Sequence, residues 1–328
     1  MNRRTLLAAL AGLPFAQRAL IGSAWAQGED WPTRTVRLVC PFTPGGSQDS
    51  ISRRLGSKMG DRLGQSFVVD NRTGAGGSIA ADNVAKSPPD GYSVLLGNIG
   101  SHALVPYLYA KPPYDAFKDL ETACWIGTQP NLLACRPDFP HDTPQKLIAA
   151  AKKEPGKYSY GSSGVGTSPS LSMEILKQKT GADLTFISYR GASAAAADVI
   201  AGHVPMVIAN IDSLMGQVNG GKLKAIATTG ATRSPAAPDT PTFAEAGLPD
   251  LVVTSWSIWA VPTGTPQKIK DKLKLVTEQA LKEPDVIESM KVGGFEPGAM
   301  SVADADAFIR TEYKRWGEVI RAAGIKPQ

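Results

Sequence analysis

Val36-Arg37-Leu38-Val39-Cys40-Pro41-Phe42-Thr43-Pro44-Gly45-Gly46 is the stretch whose reading decides the fold. A short apolar run rich in β-branched residues ends in two prolines and two glycines. Ile51, Leu55, Met59 and Leu63 then recur at every fourth position, the spacing of one helix face, and Gly64 can end the pattern. The same order follows again. Phe67-Val68-Val69 reads as a strand, 71–77 as a Gly-rich turn, 78–86 as a helix stopped by Pro88-Pro89-Asp90-Gly91, and 92–96 as the next strand. Strands alternating with helices through short connections predict a largely parallel sheet covered on both faces.

A second set of elements begins after 122–136, which reads as a hairpin. Thr143 is a plausible N-cap with Pro144 at the first helical position. The strand 157–160 runs into Gly161-Ser162-Ser163-Gly164-Val165-Gly166-Thr167, and Thr167 or Ser168 caps a helix with Pro169 near its start. Strands at 184–189, 206–209 and 223–227 and an Ala-rich helix at 192–201 follow. Thr242-Phe243-Ala244-Glu245 matches a capping box, and the C-terminal part is helical at 267–282, after Pro284, and at 302–323 behind Ser301. A strand within 252–261 would return the chain to the first unit, giving two crossings, near Gly127 and Ser255, and a hinge. The expected fold class is therefore α/β with two domains and two mixed or parallel sheets. Its expected divisions are a signal peptide at 1–26, a discontinuous first domain at 27–127 plus 255–328, and a second domain at 128–254.

Composition supports a folded chain. Of 328 residues, 42% are hydrophobic and 20% charged, which excludes a disordered polymer, and the 33 Gly and 25 Pro have no three-residue period and so belong to loops. The formal net charge of +5 would hint at nucleic acid, but residues 1–26 hold Arg3, Arg4 and Arg18 and no acid. Without them 32 bases face 30 acids, and the balance is +2. Arg3-Arg4, the uncharged run 6–16 and Ala24-Trp25-Ala26 form the three parts of an export signal, of Sec or twin-arginine type, too short to span a bilayer. An exported, periplasmic protein with no nucleic-acid partner is the expectation.

Cys40, Cys124 and Cys135 are too few and too dispersed for a zinc site. If Gln129-Pro130 is the tip of a tight hairpin, Cys124 and Cys135 would face each other and could pair, whereas three buried thiols is the reading that cysteine's usual burial favours. No cofactor or metal is expected.

Two Gly-rich loops thus run from the C-terminal end of a strand into a helix, where free backbone N–H groups and the positive end of a helix dipole gather. Such places attract anions, and in open α/β sheets ligands sit at this edge. Neither loop fits a nucleotide motif: Pro169 stands where the dinucleotide fingerprint needs Gly, and no Gly-Lys-Ser/Thr is present. Plain turn geometry explains one such loop; two, one per unit, are harder to dismiss. Asp49 suits a general base or a helix cap. Catalysis has little support, since His102, His141 and His203 read as surface or packing residues and Ser162 and Ser163 lack the nucleophile-elbow context.

Taken in order, Pro41-Phe42-x-Pro44-Gly45-Gly46-x-x-Asp49, Val69-x-Asn71-Arg72-x-Gly74-Ala75-Gly76-Gly77, Pro89-Asp90-Gly91-Tyr92, Gly161-Ser162-x-Gly164-x-Gly166-Thr167, Tyr189-x-Gly191, Pro241-Thr242-x-x-Glu245-Ala246-Gly247 and Pro262-x-Gly264-Thr265-Pro266 resemble the Bug proteins, periplasmic solute receptors of tripartite tricarboxylate transporters. The resemblance implies a Venus-flytrap fold that closes on a small carboxylate without catalysis and is read by the transporter's membrane components. It assigns ligand contacts to Phe42, Gly45, Gly46, Ser47 and Asp49 in the first loop and to Ser162, Ser163, Gly164, Gly166 and Thr167 in the second. Asn98, Tyr189 and Asp212 are added as wall residues because each follows a strand. Ser170, Arg190 and Pro205 depart from the family's common His, Lys and Asp. The other readings are an exported hydrolase using Ser163 or Ser162 with His203, and a ligand-sensing subunit. A monomer is expected.

Overall fold

The first strand, β1 (Val36–Cys40), has four of its five residues fully buried, as a strand does when helices cover both faces of its sheet. It pairs in parallel with β2 (Phe67–Asn71) and β3 (Ser93–Gly97). Between β1 and β2 lies α1 (Ser47–Leu63), which turns Ile51, Leu55 and Met59 into the core as their spacing predicts. Gly64, at φ 66°, ends the helix by donating its N–H to the Gly60 carbonyl. The computed structural model describes residues 31–322, 324 and 327, so the reading of 1–26 as a signal peptide lies outside the described residues.

The remaining elements are α2 (Ser78–Ala85), α3 (Val105–Leu108), β4 (Leu120–Cys135), α4 (Pro144–Lys153), β5 (Tyr158–Ser162), α5 (Ser168–Thr180), β6 (Leu184–Ser188), α6 (Ala192–Ile200), β7 (Met206–Asn210), α7 (Asp212–Asn219), β8 (Lys224–Thr228), β9 (Thr254–Pro262), α8 (Gln267–Ala280), α9 (Pro284–Val292), β10 (Glu296–Pro297) and α10 (Val302–Ala322). The strands follow the order β2-β1-β3-β9-β4-β7-β5-β6, with β10 and β8 also on β4. From Leu120 to Pro130, β4 pairs antiparallel with β9; from Asn131 to Cys135 it pairs with β7 instead. The fold is the expected α/β, two-domain type, and its two mixed sheets are continuous through this one strand.

That strand overturns the expected hairpin at 122–136. Gly127 (φ 154°) and Gln129-Pro130 look like turn punctuation, but Gly127 serves a close contact: a Cβ there would lie 2.2 Å from the Glu296 carbonyl oxygen on β10. Pro130, which cannot donate, stands where β4 changes partners, and its carbonyl accepts the Ile211 N–H at 3.1 Å. A disulfide between Cys124 and Cys135 is excluded by the same geometry. Eleven residues of extended chain separate their Cα atoms by about 36 Å, against a limit near 7 Å. All three cysteines are free and buried, and burial pushes the Cys124 thiol up to about 12.

The C-terminal helices cover the first sheet: α8 packs on α1 and β4, and α10 on β4. Ser301 caps α10 by accepting the Asp304 N–H at 3.1 Å. The capping box at Thr242 and Glu245 forms, with bonds of 2.8 and 3.0 Å, but encloses only a turn. Gly247 at φ 95° directs the chain back, and the Leu248 N–H closes on the Phe243 carbonyl. No described helix is long and apolar enough to cross a membrane.

Candidate functional site

The Pro41–Gly46 loop is shaped from below by Asp49. Its carboxylate accepts the Gly45 N–H (2.9 Å), the Asn71 amide (2.8 Å) and the Arg53 guanidinium (2.9 Å), and Asn71 also donates to the Phe42 carbonyl (2.9 Å). These bonds hold the Asp49 carboxyl below the usual carboxylate range against the opposing effect of its own burial. The loop therefore enters α1 on Gly46 with no side-chain cap. The first helical bond runs from Ser50 N to Gly46 O, leaving the amides of Ser47, Gln48 and Asp49 without an intrahelical acceptor.

The second loop is closed on itself. Thr167 donates its hydroxyl to the Gly164 carbonyl (3.2 Å), and Ser170 accepts the Thr167 N–H (3.2 Å) while donating to the Thr167 carbonyl (2.9 Å). Pro169 removes one further amide from the first turn of α5. Gly164 and Gly166, at φ 93° and 76°, take the left-handed conformations that this tight return requires.

Between the loops lies a cavity whose walls include Phe42, Gly46, Ser47, Asn98, Ser163, Gly166 and Thr167. About 50 Å³ of it admits the centres of water-sized molecules, enough for a small polar group at roughly 10–15 Å³ per water. The expected residues divide accordingly. Gly45 and Asp49 support the first loop from behind, Ser162 is buried beneath the second, and Gly164 and Tyr189 face a neighbouring cavity. Asp212 lies in a third cleft with Ser50, Arg54 and Met290, and the structure does not bring it to the main cavity.

Asn98 is the most exposing of the wall positions chemically, although it is buried. Its Oδ1 accepts the Ser101 N–H at 3.0 Å, which fixes the amide, and its Nδ2 is left without a partner. None of the side chains lining this cavity carries a formal charge. An anion placed here would meet helix amides, an amide donor and hydroxyls.

Sequence reasoning missed several walls. Asn210 ends β7 and Ser213 lies in the first turn of α7, at the same strand-to-helix junction that suggested Asp212. Ser255 and Trp256 belong to a crossing strand that reads as core. There the Ser168 and Ser255 hydroxyls share a short hydrogen bond, Ser255 donates to Asn210 Oδ1 (2.6 Å), and both serines reach Asn131 Oδ1. Gly76 and Gly100 also went unassigned. A Cβ on Gly100 would lie 1.8 Å from the Gly76 carbonyl oxygen and 3.0 Å from that of Gly166, so three loops meet here as bare backbone.

The two sides are also tied by side chains. Ser47 Oγ accepts from Gln129 Nε2 at 2.5 Å and bonds the Asp212 carboxylate, while burial outweighs that bond and pushes Asp212 up to about 6. The histidines stand apart. His102 is buried against Trp256 and pushed down to about 4 by burial; His141 bonds the Tyr158 hydroxyl; His203 is exposed beside Asp198 and lines no wall with Ser162 or Ser163.

Comparison with known proteins agrees with the sequence resemblance. The family described as "Tripartite tricarboxylate transporter family receptor" matches residues 51–325. Protein BugT of Bordetella pertussis is 33% identical over 99% of both chains. Among solved structures, Rpa4515 of R. palustris with adipate is 36% identical, superimposes with a TM-score of 0.87 and covers 91% of this chain and 100% of its own. MatC of Rhodopseudomonas palustris with bound malate is 29% identical, with a TM-score of 0.83, over 88% of this chain and 100% of its own. The family model begins just beyond the first Gly-rich loop and takes in the second, the similarity to BugT spans 99% of the chain and so both loops, and this chain belongs to the tripartite tricarboxylate transporter family of receptors.

Proposed function

We propose that this receptor binds a small organic acid by its carboxylate in the cavity between the two loops, in the periplasm, and delivers it as a monomer to the membrane components of a tripartite tricarboxylate transporter. The observation that carries the reading is the unpartnered Asn98 Nδ2 on the same cavity as the uncapped start of α1, which lines it with Ser47 and Gln48. A helix N-terminus contributes about 0.3–1 kcal/mol to an anion, and each amide bond to a charged acceptor about 1.5–3 kcal/mol. Adipate and malate in the related receptors have the same chemistry. The second loop and the Ser168–Ser255 group hold the ligand from the opposite side. In this reading 27–127 plus 255–328 form one domain and 128–254 the other, with β4 and β9 as the hinge. A ligand touching both favours their approach in proportion to its preference for the closed form.

A thermal-shift screen of organic acids on ligand-free protein should show at least one that raises the melting temperature, with calorimetry giving one site per chain. Failure of every carboxylate to bind would remove the proposal.

A further inference from the structure

His102 is a buried titratable group with no part in the binding reading, set in the turn between β3 and α3. It lines no wall of the cavity that Asn98 lines, yet hydrogen bonds join the two residues. Its backbone N–H donates to the Asn98 carbonyl at 3.1 Å, and its Nδ1 lies 2.9 Å from Ser101 Oγ. Ser101, itself fully buried, holds Asn98 at three points. Its N–H donates to Asn98 Oδ1, its hydroxyl donates to the Asn98 carbonyl, and the same hydroxyl accepts the Asn98 N–H, each at 3.0 Å. The buried Tyr114 hydroxyl pins this turn by donating to the Ser101 carbonyl at 2.6 Å. Gly77 leaves the Asn98 amide room, since a Cβ there would lie 3.2 Å from Asn98 Nδ2.

Turning the Asn98 amide over would set its NH2 against the Ser101 N–H, two donors with no acceptor between them, so the turn permits only the orientation that leaves Nδ2 free. The protons around the Ser101 hydroxyl also balance in one arrangement. Burial pushes His102 down to about 4, so the ring is neutral and carries a single proton. With the hydroxyl hydrogen on the Asn98 carbonyl, that ring proton belongs on Nδ1 and is donated to Ser101 Oγ. We infer that Ser101 and His102 are positioning residues, which aim the Asn98 donor into the cavity and so make this wall select a hydrogen-bond acceptor. The inference deepens the carboxylate reading and rests on it. An asparagine free to turn over would meet an anion with its oxygen as readily as with its nitrogen, and ordering it on binding would subtract from affinity.

The test is calorimetry of the whole protein with adipate, malate, succinate and butyrate, at concentrations high enough to read weakened binding, carrying forward whichever acid binds the parent. Ser101→Ala should weaken that acid about tenfold, the value of one charge-assisted bond, and Ser101→Thr, which keeps the hydroxyl, by less than about threefold. His102→Leu should weaken it about fivefold, and His102→Asn, whose amide can stand in for Nδ1, should recover most of that loss. A merely structural role would cost affinity whether or not Asn98 is present, so the deciding measurement is made in Asn98→Ala. There Ser101→Ala should cost less than about a further twofold. The full loss in that background, or parent-like binding by both Ser101→Ala and His102→Leu, would overturn the positioning roles and leave the carboxylate reading standing. Should Ser101→Ala not fold, His102→Leu carries the same comparison with Asn98→Ala. If the parent binds none of the acids, both readings are lost.

Discussion

The two Gly-rich loops occupy equivalent places, each after a parallel strand and before a helix, yet their hydrogen bonds are arranged oppositely. In the first, Asp49 and Asn71 fasten the loop from beneath and leave the start of α1 uncapped. In the second, Thr167 and Ser170 close on each other and Pro169 removes an amide from the start of α5. A shared glycine signature therefore does not imply shared donor strength. The first loop, with Asn98, thus holds the free donors of the cleft, and the second brings shape and hydroxyls.

The largest effect is expected at the glycines where the loops touch. Gly100→Ala places a methyl carbon on the Gly76 carbonyl and against that of Gly166, and overpacking of this kind costs about 1–3 kcal/mol or more. Ligand affinity should fall by roughly 100-fold, read by calorimetry. A variant that binds as tightly as the parent would show that the three loops do not need to meet.

Asn98→Asp tests the electrostatic half with little change of shape, since the acceptor for Ser101 is kept and the free donor becomes a carboxylate oxygen. Affinity for an organic acid should drop by about 10–100-fold, the loss of one charge-assisted bond and more. The melting temperature of the ligand-free protein should change far less than the affinity.

Asp212 probes the joint between the halves. Its folded pKa, pushed up to about 6 by burial from an ordinary value of 3.8, means that the folded chain prefers the protonated acid. The associated stability is fully present below the ordinary value and is lost as pH rises through about 6. Asp212→Asn should therefore be more stable than the parent near neutral pH, by on the order of 1–3 kcal/mol, with the advantage fading as pH falls to about 4. Melting curves across that range check the sign, and a variant less stable at neutral pH would contradict it.

The smallest effect is expected in the second loop. Ser170→Ala removes the reciprocal closure of α5 and should cost about 1 kcal/mol of stability, as helix caps do. Its effect on affinity should be smaller than that of Asn98→Asp; the reverse order, measured by calorimetry, would invert the assignment of the two halves.

Much of this is legible in the sequence because it is local. The apolar stripe of α1, Pro144 and Pro169 at helix starts, Gly64 at a helix end and the junctions holding both loops all depend on residues within a few positions of one another. The 122–136 segment departs from its local reading for the complementary reason. Glycine and proline there suit a turn locally, but the pairing of β4 with β9, β7 and β10 is set by residues more than seventy positions away. Asp49 reads locally as a ligand contact or a helix cap, and its bonds to Asn71 and Gly45 become visible only when β2 is beside β1.

By itself, then, the sequence determined the alternation of strands and helices, the two loop-to-helix junctions and the family to which they point. Only the tertiary structure decided which donors those junctions leave free. A backbone amide or a side-chain Nδ2 is available to a ligand when no other part of the chain satisfies it, and those competing partners come from elements distant in sequence. The same packing brought Gly76, Gly100 and Gly166 together.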